Sequence, residues 1–173
     1  MNNIGRPIAA DAPDYCRYFF ELTTEDNLLD SLENSKNMTM DIIKSVPVLK
    51  EEYRYAEGKW TIKMVFSHVI DCERHYSYFA MCRSRHGSVH HVELERDLYA
   101  LNANTETRSL RDIGEEFLLV RESTIRLFRT MNDEMLDYKL STDNTIYTPR
   151  SLGWMASGHT VHHCKFIKEK YLS

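Results

Sequence analysis

Turn-forming residues are scarce in this sequence, with only 6 Gly and 4 Pro in 173 residues. An all-β fold would need a tight turn roughly every 8–12 residues, so that class is excluded first. No stretch approaches the roughly 20 apolar residues that cross a bilayer, and no membrane partner is expected. Cysteine occurs at Cys16, Cys72, Cys82 and Cys164, never as a CxxC pair. In a chain of this size such scattered thiols read as reduced cytosolic residues and not as a disulfide framework. A basic surplus is also missing: the formal net charge is −4, which gives no general electrostatic reason to bind nucleic acid. The opening "MNNIGRPIAADAPDYCRYFF" has one Arg and no apolar block before Asp11 and Asp14, so it does not read as a secretory signal. Cytoplasm is the expected location.

What is present is an ordinary globular composition, 42% hydrophobic and 28% charged, enough for one domain with a real core. No repeat or linker divides residues 1–173, and residues 1–17 read as an N-terminal arm. Four long helical patterns stand out. The first runs from about Thr24, as cap, to Val46, with the stripe Leu28, Leu32, Ser35, Thr39, Ile42 and Val46, and Pro47 stops it. The second runs from about Thr61 to Arg85 with Met64, His68, Cys72, His75, Phe79 and Cys82 inward. A long connection follows, with a short helix expected over 93–101; connections of this length are uncommon unless they serve a site. The third is capped by Ser109 with Asp112 at N3, and its face is Leu110, Ile113, Phe117, Val120, Thr124, Leu127 and Met131. The last opens on Thr148 as cap and Pro149 at its first position. With no alternating strand pattern, the expectation is an all-α four-helix bundle.

The last helix carries "GHTVHHCKF". At about 100° per residue, His159 and His163 fall with Leu152, Met155 and Phe166 on one apolar face. His162 falls at the edge of that face, while Cys164 and Lys168 point outward. A single inward histidine is most simply a hydrogen-bonded core residue. Two, one turn apart, are harder to explain that way, because both cannot be charged cheaply in a core. An i, i+4 histidine pair also lets two nitrogens converge on one ion. A bundle metal site draws donors from facing helices, and His68 is the central histidine of the second helix. Cys72 on the same stripe reads as a small buried hydrophobe. His75 reads as a core or pocket-lining residue that could carry a proton. Asp71, at the stripe's edge, is a candidate base or a carboxylate that orients a ligand, with plain solvation as the alternative. His86, His90 and His91 sit in polar sequence and read as surface residues.

Three segments carry a family resemblance: "GKWTIKMVFSHVIDCER" at 58–74, "ANTETRSL" at 103–110 and "SLGWMASGHTVHHCKFIKEKYL" at 151–172. In order and spacing, over about Tyr18 to Leu172, the chain resembles the DinB/YfiT-like superfamily. That resemblance implies a bundle of up-down-down-up topology, often dimeric. It also implies a divalent metal held by three histidines, at positions that correspond to His68, His159 and His163. Members with established activities are metal-dependent thiol transferases and relatives, including bacillithiol transferases and mycothiol-dependent isomerases. The sequence departs from the pattern at His75 and Phe79, where relatives often have an aliphatic residue and an Arg. It departs again at Thr105 and Glu106, in place of Phe-Asn. These positions surround the implied ligands, so the family's substrate is not carried over.

The functional expectation is a metal-dependent thiol S-transferase or hydrolase acting on a small molecule, with a low-molecular-weight thiol as one substrate and a homodimeric assembly. Catalytic candidates are Asp71 and His75. Three histidines accommodate Zn or Ni first, with Fe or Mn also compatible. The competing expectation is a non-catalytic helical binding or stress-response domain whose metal is structural or absent.

Overall fold

The computed structural model describes residues 3–87, 89, 92, 94–139 and 146–172, and among them there is no β-strand. Four long helices form the bundle: α2 (Leu28–Ser45), α3 (Ile62–Ser84), α5 (Leu110–Arg129) and α7 (Pro149–Lys170). Shorter helices lie around it: α1 (Cys16–Glu21), α4 (Arg96–Asn102) and α6 (Asp133–Leu136). No helix among the described residues is long and apolar enough to cross a membrane.

Helix ends follow local chemistry. Ser109 and Thr148 accept hydrogen bonds from the backbone N–H groups of Asp112 and Ser151, and Pro149 sits in the first turn of α7. Thr61 caps α3 in the same way. The cap of α2 is Asn27 and not Thr24, so that helix starts three residues later than the pattern implied. Asn27 wins because its side-chain oxygen accepts from Leu29 N and also from Ile4 N, tying the N-terminal segment to the helix start. Ile4 is fully buried there. The short helix of the long connection is α4, three residues later than 93–101 at its start.

Packing partners give the topology. α2 and α7 run parallel, since Ser31 and Ser35 meet Ser157 while Thr39 meets Cys164. α3 runs antiparallel to α7: Trp60, just before α3, receives the Tyr171 hydroxyl, and Arg83 at its other end donates to Tyr147 O. α3 and α5 are parallel, through Glu73 with Arg121 and Ser77 with Thr124. The order around the bundle is α2, α7, α3, α5, with directions up, up, down, down; in chain order it is up-down-down-up. Parallel neighbours α3 and α5 cannot be joined by a short turn. Residues 85–109 must return along the bundle, which explains the long connection, and α4 rests on α3 within it.

The core has two apolar ends. One is built around Leu28, Leu32, Phe128, Leu152 and Met155, the other around Ile42, Phe66, Ile70, Ile113 and Ile167. Between them lies a polar waist. Arg121, fully buried on α5, forks onto Glu73 of α3 at 2.8 Å through both Nε and Nη2. It also donates to Leu32 O and Ser35 Oγ of α2 and to Thr160 Oγ1 of α7. All five guanidinium N–H donors are used, and one side chain reaches every other helix of the bundle.

Two helices are buried more widely than a single stripe. α3 also hides Val65, Phe66, Val69, Ile70 and Glu73, because α5, α7 and α4 flank it. On α7, Cys164 does not point outward; it is fully buried against Thr39. A wheel centred on the face toward α3 misses the second face, which α7 turns toward α2.

Candidate metal centre

The waist continues on its α3–α7 side as a histidine cluster. His68 and Cys72 stand one turn apart on α3; His159 and His163 stand one turn apart on the antiparallel α7. The rings of His68, His159 and His163 lie 4.5–5.1 Å from one another, centroid to centroid. His159 Nε2 and His163 Nε2 are 3.1 Å apart. The Cys72 sulfur is 3.6 Å from His68 Nε2, and donor atoms of His68, Cys72 and His159 all fall within 4.8 Å of one another. On its stripe alone Cys72 reads as a small buried hydrophobe; the structure buries it and also sets its sulfur in this group. The signal was there, in the i, i+4 spacing from His68 on the same stripe.

Close backbone approach positions this face. A Cβ at Gly158 would sit 2.2 Å from the carbonyl oxygen of Phe19, so only glycine lets α1 lie against α7 there. The Phe19 ring then stands 5.8 Å from that of His159, and Trp60 covers His68 at 5.0 Å.

These residues open into a cavity of about 420 Å³, lined also by His75, Tyr76, Met155 and His162. His75 faces it, packed 4.7 Å from the Phe79 ring. His162 keeps its edge position, with Nδ1 2.9 Å from the Tyr18 hydroxyl. Asp71 is not in the lining; it lies within 3.7 Å of Arg74 and borders a separate surface hollow with Leu98 and Tyr99. His86 is exposed and stacks on Tyr138 at 4.2 Å. His90 and His91 lie outside the described residues. Arg96, which also lines the cavity, carries no signal in the sequence pattern.

Burial sets the protonation states. His68 is pushed down to about 4 by desolvation, with the charge of Arg96 adding to the effect. His159 and His163 are held well below the ordinary histidine value, first by desolvation and then by neighbouring imidazoles. All three are neutral near pH 7, which is the ligand form. The Cys72 thiol is pushed up to about 12 by burial and the nearby Asp71 charge. Unfolded, such a histidine titrates near 6.5; folded, His68 waits until about 4. In that window the unfolded chain binds more protons, so metal-free stability falls as pH falls, by up to roughly 1.4 kcal/mol per pH unit for each such histidine. Thermal midpoints between pH 6.5 and 4 should therefore drop more steeply in the wild type than in His68→Gln. Parallel profiles would contradict burial as the cause.

The donor set fits a divalent ion. Two nitrogens on one tetrahedral zinc stand about 3.3 Å apart, close to the His159–His163 spacing. Among the described residues the buried Nδ1 of His163 has no hydrogen-bond partner, so they leave this ring incompletely satisfied.

A sequence model of the DinB superfamily matches residues 31–167. The chain belongs to the DinB superfamily. No curated protein matches it in sequence. Among solved structures it superposes on YfiT from Bacillus subtilis, described as "a probable metal-dependent hydrolase with an unusual four-helix bundle topology". The TM-score is 0.67 at 13% identity, covering 95% of this chain and 91% of that one. At that identity the likeness is one of fold, a four-helix bundle.

Proposed function

We propose that this chain holds a divalent metal ion on His68, His159 and His163 and acts as a metal-dependent transferase or hydrolase on a small substrate. The observation that carries this is the convergence of three neutral imidazoles, two buried and one half-buried, from two antiparallel helices at the wall of a cavity of about 420 Å³. Family membership and the description of YfiT support the same reading. A bound divalent ion supplies a Lewis acid that lowers the pKa of a thiol or a water. The chain's own residues do the rest. Phe19, Trp60 and Met155 exclude water and grip the apolar part of the substrate. His75, on the cavity wall, takes up the proton released by the thiol or water. Asp71 acts only through its field at Cys72.

One observation favours the structural alternative. With the Cys72 sulfur beside His68, four donors are available, enough to close a tetrahedral site. Turnover separates the two. Zinc-loaded and chelated protein are assayed with cysteine plus 1-chloro-2,4-dinitrobenzene for thiol transfer, and with p-nitrophenyl acetate for hydrolysis. We expect turnover of one pair by the loaded protein and none after chelation. A chelator that lowers the melting temperature while neither reaction proceeds would replace this reading with a structural metal.

A further inference from the structure

The histidine cavity has a neighbour. A second hollow of about 390 Å³ adjoins it, sharing Trp60, Arg96, His162 and His163 as lining. Its far wall is aromatic. Tyr55, Phe166 and Tyr171 pack edge to face at 5.1–6.0 Å. The Tyr171 hydroxyl donates to Trp60 O at 2.7 Å, pinning this wall to the start of α3. Two cations edge the hollow, Lys59 from the α2–α3 connection and Arg96 from α4. Asp97 is the acid among the described lining residues, and its carboxylate touches Arg96 at 3.6 Å. A solvent-exposed pair of that geometry is weak, so a bidentate acceptor entering the hollow can take over the guanidinium fork.

We propose that this second hollow is a substrate subsite for an acidic group, carboxylate or phosphate, held between Arg96 and Lys59. The group is carried on a flat or hydrocarbon body that lies against Tyr55, Trp60 and Phe166 and reaches the histidine cluster with its other end. Three features combine to specify such a ligand. The aromatic wall recognises the body, the guanidinium recognises the acid, and the shared lining connects both to the cluster. This deepens the proposed function and rests on it for the reacting end; the anion preference itself does not need the ion.

The test uses two matched probes, 3-phenylpropionate and the uncharged 3-phenylpropanamide, titrated calorimetrically into the full-length protein. Each is measured zinc-loaded and after chelation, with metal content assayed on the same samples. The acid should bind roughly tenfold tighter than the amide in both states, the effect of one charge-assisted hydrogen bond in a partly solvated site. The preference should vanish in Arg96→Gln/Lys59→Gln, whose substitutions are on exposed side chains and whose fold is checked by its melting curve. Equal affinities, no binding of the acid, or a preference that survives the double substitution would overturn the subsite. A preference seen only with zinc bound would overturn it too, because the carboxylate would then sit on the ion. Failure of the metal reading shows separately, as absent metal in samples that still prefer the acid.

Discussion

Arg121→Met should lower stability by about 3–5 kcal/mol, a large share of the roughly 5–15 kcal/mol that holds a typical domain together. The substitution leaves Glu73, 1% exposed, as an uncompensated carboxylate in the bundle interior. It also removes a charge-assisted donor from Leu32 O, Ser35 and Thr160 on two further helices. Removing both charges is a different matter, since a buried ion pair replaced by apolar groups of similar volume is often neutral or better. Arg121→Met/Glu73→Leu should therefore recover most of the loss in urea denaturation. Arg121→Lys should not, because an ammonium cannot fork onto Glu73 while reaching α2 and α7. A single substitution costing less than about 1 kcal/mol would mean that the waist is hydrated and the pair is not buried as described.

The second large effect concerns the metal. His159→Ala should weaken zinc affinity by more than roughly 100-fold, beyond what is lost when only a residue supporting a ligand is changed. Metal-free stability should change far less. His159 lies at the centre of the cluster, its Nε2 3.1 Å from that of His163 and its ring 5.1 Å from His68. In the absence of metal it is a buried imidazole with a depressed pKa, so losing it also removes an acid-sensitive group. Competition with a chromophoric chelator gives the affinity, and a melting curve of the chelated variant gives the stability. His162→Ala serves as the control: it lies one position from the ligand pair, borders the same cavity and should leave zinc affinity within a few-fold.

The sequence made the bundle readable because α2 and α5 carry one clean stripe each, and because Ser109, Thr148 and Pro149 mark helix ends in the expected way. His68, His159 and His163 were legible for the same reason: periodicity places them inward, and only a bundle with α3 and α7 adjacent brings them together. The polar waist was harder to see. Arg121 falls four residues after the buried Phe117, and Glu73 three after the buried Ile70, but a charge on an inward stripe reads as an edge residue until its partner on another helix is known. Cys164 was misplaced because a wheel assumes one buried face, and α7 buries two. Arg96 and the second hollow depend on where a long connection lands, and no local pattern encodes that. Asp71 shows the opposite limit. Its position beside the stripe gave it a plausible role, but the side chain turns toward Arg74 and away from the cavity.

The central claim is that these three histidines are a metal site, and its most direct measurement is the metal content per chain. Elemental analysis is performed on untagged protein incubated with zinc and then freed of excess by gel filtration, for the wild type and for His159→Ala. The account predicts one zinc per wild-type chain and loss of that zinc in the variant. A wild-type chain that emerges without metal, or a variant that keeps its full complement, would contradict it.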